Sequence, residues 1–426
     1  MMAGRTSDQP RHQPIVIDYS MKPVYILEPL RTPVGRYGGS LSAVRPDDMA
    51  GDLISALVER VSVDPSSIDD VIIGCANQAG EDNRNIARMA VLLSGLPETV
   101  PGVTVNRLCA SSLEAVIQAM RGIASGEQHL VVAGGVESMS RAPYSLPKNV
   151  SGGAMFGNVT AFDTALGWRY PNPRIEKIIP LETMGETAEN IAERWSITRE
   201  EQDRFALRSH ALACQARESG IHAEEIVPVR IPQRKGDEIV VAHDEQPRSD
   251  TSLERLGKLG AAFRKGGTVT AGNSSTLNDG AGVMILASEE ALERQPHLRA
   301  HVFGRLVASG AVGVDPRIMG IGPVGAIQQA CSRAGIGVAD LGLVEVNEAF
   351  AAQAIACIKE LGIESDRVNV NGGAIAIGHP LGMSGARILG SLVRQMRRSD
   401  VRFGAAALCI GVGQGLAVVV ESVRMQ

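Results

Sequence analysis

Aromatic residues are scarce in this chain: 7 Phe, 5 Tyr and 2 Trp make up 3% of 426 residues. Its core must therefore be filled by aliphatic side chains and by backbone at close range. A glycine count of 47 fits that reading and points to many tight turns. Cysteines number only 6 and are scattered, which excludes a disulfide framework and predicts a reducing compartment. There is no excess of positive charge, with 42 Lys and Arg against 47 Asp and Glu for a net charge of −5. That argues against a chain-wide surface for nucleic acid. Long apolar runs are missing too. The most apolar stretch, Phe403 to Val420, is broken by Gly404, Gly411, Gly413, Gln414 and Gly415. It predicts two short buried strands around a turn, with no membrane span.

Residues 1–20 have no apolar h-region and carry Asp8 and Asp18, unlike a secretory signal or a transit peptide. They are expected to form a disordered N-terminal tail, with Met21 a candidate initiator. The ending Val423-Arg424-Met425-Gln426 is no peroxisomal address, so a cytoplasmic location is expected. Hydrophobic residues make up 44% and charged residues 21%, an ordinary globular composition. At about 150 residues per domain the length allows two to three domains.

Short β-branched runs alternate with Ala-rich helical stretches, the pattern of layered α/β folds. Val71–Gly74 and Val131–Gly135 read as buried strands, and Ser111–Ile123 as a helix with Leu113, Val116, Ile117 and Met120 on one face. A faint repeat links Ile68–Ile73 with Leu341–Val346, and Val103–Asn106 with Val368–Asn371, at nearly equal offsets. It suggests two similar halves, although matches this short also arise by chance. Between them, residues 142–270 carry Pro143, Pro147, Pro171, Pro173 and Pro180, then helices around 185–220, then a charged segment to Lys265. That composition predicts an inserted loop domain.

Cys109, in Asn106-Arg107-Leu108-Cys109-Ala110-Ser111-Ser112, follows a strand and opens a helix. A helix N-terminus lowers a thiol pKa and favours the nucleophilic thiolate. A buried structural cysteine is the alternative. His379 is framed by glycines in Asn371-Gly372-Gly373-Ala374-Ile375-Ala376-Ile377-Gly378-His379-Pro380-Leu381-Gly382. It reads as a general base for a thiol, or as a loop histidine satisfied by backbone. Cys409 ends a strand at a Gly turn, where a reference pKa of about 8.5 would suit proton transfer at carbon. It could equally be a core thiol. Asn347, in Asn347-Glu348-Ala349-Phe350, could hold a water or polarise a carbonyl, or could cap a turn.

Other signals carry less. Gly320-Ile321-Gly322-Pro323-Val324-Gly325 matches a dinucleotide fingerprint, but no buried strand run is expected to lead into it. His297 and His301 have helical spacing without a third ligand, so no metal is expected. Cys75, Cys214, Cys331 and Cys357 form no C-x-x-C pair.

In their order along the chain, Cys109, Asn347-Glu348-Ala349-Phe350, Gly378-His379-Pro380 and Cys409-x-Gly411-x-Gly413 resemble the thiolase family. The resemblance extends from about Val24 to Val420 and includes Arg31-Thr32-Pro33-Val34-Gly35 and Thr270-Ala271-Gly272-Asn273-Ser274-Ser275. It implies a duplicated five-layer αβαβα architecture with an inserted loop domain. Residues 21–141 and 271–298 would form the N-terminal half, 142–270 the loop domain over coenzyme A, and 299–426 the C-terminal half. It implies acyl transfer through Cys109, with His379 as base and Cys409 as second acid/base. One oxyanion hole would use His379 and a water on Asn347, the other the N–H groups of Cys109 and Gly411. Glu348 would orient its neighbours. Coenzyme A would enter as substrate, with no permanently bound cofactor. Arg248, Phe263, Ala271, Ser275, Leu277, Met184, Ala349 and Phe350 align with the positions lining its tunnel. A ketoacyl synthase of the same superfamily would need a second histidine where Asn347 and Cys409 stand. A homotetramer, a dimer of dimers, is implied as well.

Two segments, Gly74–Asn85 and Gly167–Pro173, look like the 3-oxoadipyl-CoA thiolases of aromatic-compound degradation. Arg169 is then a candidate partner for the acyl carboxylate. The alternatives are a general acetyl-CoA C-acetyltransferase and a 3-ketoacyl-CoA thiolase of fatty-acid β-oxidation. Two positions depart from the family pattern: Thr183 stands where His is frequent, and Gly185 where Pro is frequent.

Overall fold

The aliphatic run Val24–Arg31 forms strand β1 in the computed structural model, which describes residues 22–148 and 158–423. The expected tail at 1–20, Met21, residues 149–157 of the expected insertion, and 424–426 lie outside the described residues. Pro46 sets the first turn of helix α1 (Pro46–Val61), and Asp47 and Asp48 face the positive end of its dipole. There follow β2 (Asp70–Gly74), α2 (Ile86–Leu93), β3 (Gly102–Val105), α3 (Ser111–Ala124) and β4 (Leu130–Ser138). The two strands and the helix read from the sequence here are all present; β2 and α3 are each one residue longer than expected, and β4 runs on to Ser138.

Helices α4 (Met184–Arg194) and α5 (Arg199–Glu218) match the helical content expected around 185–220. Each starts on a reciprocal capping box, Thr183 with Glu186 and Thr198 with Glu201. A buried ion cluster ties this stretch to β1. Arg31 donates to Glu225 at 2.6 Å and to both oxygens of Asp244 at 2.6 and 2.9 Å. Strand β5 (Asn278–Ser288) then returns to pair with β1 and β4.

The second half contains β6 (Val302–Gly313), α6 (Gly322–Ala334), β7 (Leu343–Val346), α7 (Ala351–Leu361), α8 (Ser384–Ser399), β8 (Phe403–Ile410) and β9 (Gln414–Glu421). The hydrogen-bonded order is β7-β8-β9-β6-β1-β5-β4-β2-β3. Each half repeats one pattern. Its first strand pairs antiparallel with its last, the last pairs antiparallel with the one before it, and the parallel strands lie outermost. The repeat extends to the faint matches in sequence. Val71 pairs parallel with Gly102, and Val344 forms a parallel bridge with Val368. Strands β8 and β9 are the two buried strands expected between Phe403 and Val420. The Gly320–Gly325 motif opens α6, and β6 does precede it, contrary to expectation. Because β6 is antiparallel to both neighbours, the pair is not the βαβ unit that dinucleotide binding requires.

Side-chain parity along the strands sorts the core into layers. Val132, Val136, Val283 and Ile285 face α1 and α2. Their neighbours Val131, Ala133, Met284 and Leu286 face the opposite way, onto α3 and α8. From the other half, Ala406, Leu408, Val418 and Val420 face the same two helices. Ala405, Ala407, Ala417 and Val419 face α6 and α7. The order is helices, strands, a shared pair of helices, strands, helices. Helix α3 is buried on nearly every side, as a helix between two sheets must be.

Candidate active site

The turn bearing Cys109 is held by its own polar residues. Asn106 Oδ1 accepts from Leu108 N at 2.8 Å, while Ser111 Oγ accepts from Arg107 N at 2.9 Å and donates to Leu108 O at 2.7 Å. These bonds keep Leu108 at φ 47°, a left-handed conformation that a branched side chain seldom adopts. Cys109 then sits half-buried on the turn leading into α3. The N–H groups of Gly411 and of Cys109 itself bond to the sulfur and favour the thiolate, but burial outweighs them and pushes the thiol up to about 11. This corrects the expectation of a lowered pKa: the resting nucleophile is a thiol and needs a base.

His379 lies in a loop that Asn278 clamps. Asn278 Oδ1 accepts the His379 backbone N–H at 2.8 Å, and its amide donates to Gly35 O at 2.9 Å. Gly378, at φ 117°, lies so close that a Cβ would sit 2.6 Å from the Asn278 amide carbon. The ring Nδ1 is 2.6 Å from Ser384 Oγ, whose hydroxyl hydrogen goes to Pro380 O at 2.7 Å. With its one hydrogen committed, Ser384 accepts from Nδ1–H, which leaves Nε2 as the acceptor nitrogen of the ring. Burial, reinforced by the like charge of Arg387, lowers the imidazole pKa to about 3, so the ring is neutral near pH 7.

Asn347 closes the other side. Its Nδ2 is 3.4 Å from His379 Nε2, and its Oδ1 is buried with no protein partner among the described residues. The neighbouring Glu348 accepts from Ser209 Oγ at 2.6 Å, Asn369 Nδ2 at 2.9 Å and Ile375 N at 3.2 Å. It is spent on holding two side chains and one backbone N–H. Cys409, at the end of β8, is 1% exposed. Burial first, and then the proximity of Cys109, push its thiol well above its usual value. The reference value assumed from sequence is thereby corrected upward, which makes its thiolate a stronger base toward a carbon-bound proton.

Among the residues expected to line a coenzyme A tunnel, Met184, Ala349 and Phe350 pack on Cys409 with Ala188, Val269 and Met319. Phe263 meets Phe350 edge to face, with ring centroids 6.0 Å apart. Both N and Oγ of Ser275 donate to Ala349 O at 3.0 Å. Leu277 O accepts from Tyr37 N at 3.1 Å. Ala271 and Arg248 are exposed, and the Arg248 backbone N–H donates to His210 Nδ1 at 3.2 Å. No hydrogen bond joins Arg248 to the aromatic cluster among the described residues. Both departures from the family pattern have local causes. Thr183 caps α4, and Gly185 leaves room for the Phe263 ring, whose Cγ would lie 2.0 Å from a Cβ there.

Sequence reasoning missed Ser384, Asn278 and Glu137. Ser384, five residues after His379, opens α8 and could have been found as a helix-start residue. Asn278 and Glu137 lie far from the motifs in sequence, and nothing local marks them. Of the two segments singled out for the acyl side, Arg169 in the second lies within electrostatic range of Asp82 in the first, and Asn77 Nδ2 donates at 3.0 Å to Thr164 Oγ1, just ahead of the second segment. Among the described residues no helix is long and apolar enough to cross a membrane.

The thiolase N-terminal domain model matches residues 24–290, and the thiolase C-terminal domain model matches 300–422. The chain is 51% identical over 406 residues to a beta-ketoadipyl-CoA thiolase of Acinetobacter baylyi, covering 95% of this chain and 100% of that one. It is 50% identical to the 3-oxoadipyl-CoA/3-oxo-5,6-dehydrosuberyl-CoA thiolase of Escherichia coli, with the same coverage. The crystal structure of the Bacillus anthracis acetyl-CoA acetyltransferase superposes with a TM-score of 0.88 at 42% identity, over 95% of this chain and 99% of that one.

Proposed function

The chain belongs to the thiolase family of acyltransferases, and from that premise we propose that it cleaves 3-oxoadipyl-CoA with coenzyme A, through Cys109. The observation that supports the site assignment is two pairings, Asn347 Nδ2 at 3.4 Å from His379 Nε2 and the Cys109 thiol within electrostatic range of Cys409. Cys109 sits on the turn before α3, His379 precedes α8, Asn347 directly follows β7, and Cys409 is the penultimate residue of β8.

In the proposed reaction Cys109 Sγ attacks the keto carbon while its proton passes to His379 Nε2. A thiol near 11 and an imidazole near 3 make prior ionisation unfavourable, so proton transfer accompanies attack. The bond between the α and keto carbons breaks. The departing acetyl-CoA carbanion takes a proton from Cys409, and the shortened acyl group remains on Cys109 as a thioester. The thiol of a second coenzyme A gives its proton to the Cys409 thiolate as it attacks that thioester, the shortened acyl-CoA is released, and His379 returns its proton to Cys109. Both stages place negative charge on an oxygen, where hydrogen-bond donors aimed in advance are most effective. The N–H groups of Cys109 and Gly411 serve one such oxygen. His379 Nε2–H, once protonated, serves the other with a water on Asn347. Reversed, the sequence is a Claisen condensation. Coenzyme A is a substrate, and the proposal needs neither metal nor resident cofactor.

The substrate subclass rests on the names of the relatives above and on the proximity of Arg169 to Asp82 in the 74–85 segment. We extend the proposal to residues 142–270 as the loop domain over coenzyme A, between halves formed by 21–141 with 271–298 and by 299–426. Met184, Arg248, Phe263, Ala271, Ser275, Leu277, Ala349 and Phe350 would contact coenzyme A. A homotetramer and a cytoplasmic location complete it. The test is the ratio of thiolysis kcat/KM for 3-oxoadipyl-CoA and acetoacetyl-CoA on one preparation. A strong preference for the dicarboxylic substrate is expected. Equal rates, or a preference for acetoacetyl-CoA, would make this a general acetyl-CoA C-acetyltransferase or a 3-ketoacyl-CoA thiolase.

A further inference from the structure

Glu137, near the end of β4, is 2% exposed, yet among the described residues no hydrogen bond or ion pair joins it to Lys, Arg or His. Its carboxylate is held chiefly by backbone instead, with the Cys75 thiol at 4.0 Å from Oε1. Oε2 accepts from Gly382 N at 2.8 Å and Ala76 N at 3.0 Å, and Oε1 accepts from Asn77 N at 3.0 Å. Gly382 ends the loop that carries His379. Ala76 and Asn77 open the acyl-side segment 74–85. The Cys109 thiol lies within electrostatic range. One buried anion therefore anchors two loops that approach the nucleophile from opposite halves. Burying a charge without a cationic partner is costly, and an apolar side chain would pack a strand end more cheaply. The carboxylate is what these three donors require.

We propose that Glu137 is a positioning residue for the acyl transfer proposed above: in its ionised form it holds the His379 loop and the 74–85 segment in one register, so that the imidazole meets the Cys109 thiol. Burial pushes its carboxyl up to about 7. The titratable groups facing it are Cys75 and Asp82 from the 74–85 segment and Cys109 from the nucleophile turn. Glu81 and Arg141 line the cavity beside it but are hydrogen-bonded to each other. His379, at the far end of its loop, stays neutral in this range. Protonation below about pH 7 removes an acceptor, and the grip on the two loops weakens. Asp82, pushed up to about 6 by burial, raises Glu137 through its charge.

The test follows acetoacetyl-CoA thiolysis and iodoacetamide alkylation of Cys109 against pH in wild type, Glu137→Gln and Glu137→Asp. Expected for Glu137→Gln is a fall in kcat on the order of 10²-fold, as for a misplaced base, with KM for coenzyme A within about twofold. The acid limb near neutral pH should vanish. Glu137→Asp should keep the limb and recover part of the rate. In wild type, alkylation should quicken as Glu137 ionises, whereas a charge acting directly on the thiol would slow it. A wild-type pH profile in Glu137→Gln, an unaltered limb beneath a uniform loss of rate, or failure of both variants to fold would each overturn the proposal. If the wild type cleaves no 3-ketoacyl-CoA, the thiolase reading of this chain fails, and the alkylation profiles alone decide the role of Glu137.

Discussion

Ser384 Oγ lies 2.6 Å from His379 Nδ1 and passes its own hydrogen to the Pro380 carbonyl, so a hydroxyl rather than a carboxylate fixes the tautomer of the base. Without that acceptor the ring is free to place its proton on Nε2, the nitrogen that must take one from Cys109. Ser384→Ala should lower kcat about 10-fold, in line with the loss of an orienting partner, while KM for coenzyme A stays near wild type. Steady-state kinetics beside a thermal melt would check this. A variant with unchanged kcat would show that the tautomer is set elsewhere.

Gly185 and Phe263 are in contact that admits no side chain. Gly185→Ala should push the ring away from Phe350 and raise KM for coenzyme A about 10-fold, roughly the contribution of one well-packed aromatic contact. Titration of coenzyme A by calorimetry on wild type and variant would measure it. Equal affinities would remove Phe263 from the proposed coenzyme A contacts.

The cysteines should differ in reactivity. Cys109 is half-buried and Cys409 is 1% exposed, with burial raising both thiols. Iodoacetamide on the native protein should label Cys109 first, slowly near neutral pH and faster with rising pH. Intact-mass and peptide spectra would identify the site. Prior labelling of Cys409 would contradict the burial described here.

Arg31 has two buried carboxylate partners. Burial alone would raise the pKa values of Glu225 and Asp244, but the charge of Arg31 overrides it and holds both below their usual values. Carboxyls depressed in the folded state contribute stability that is present above their unfolded pKa of about 4 and is lost as pH falls through the folded values. Arg31→Met leaves two unpaired buried anions and should cost about 3–5 kcal/mol at neutral pH. The difference from wild type should narrow below about pH 4, as the carboxyls protonate. Urea unfolding at several pH values would test both magnitude and direction.

Much of this was legible in the chain because the chemistry is written locally. Cys109, His379 and Cys409 each sit beside small residues at a turn, and such punctuation survives without a structure. The duplication was faintly legible, since Val71 and Val344 occupy equivalent strands in short β-branched runs. Strand β6 was missed because Gly304 and Arg305 interrupt a half-buried alternation. The direction of the Cys109 shift was misread for a different reason. The helix terminus is a local feature, but the burial that overrides it is a property of the folded surroundings, which no local stretch of sequence displays. Glu137 was invisible because its three close partners are backbone N–H groups, which every residue but proline possesses.

The apolar layer between the two sheets is shared: α3 comes from one half, α8 from the other, and strands of both close over them. Topologically this is a dimer written on one chain. Neither half can bury its inner sheet face alone, so the covalent link supplies through effective concentration what a separate partner would have to supply through affinity. Fragments divided near residues 291–299 would have to find each other in solution before either could offer a thiol to an imidazole.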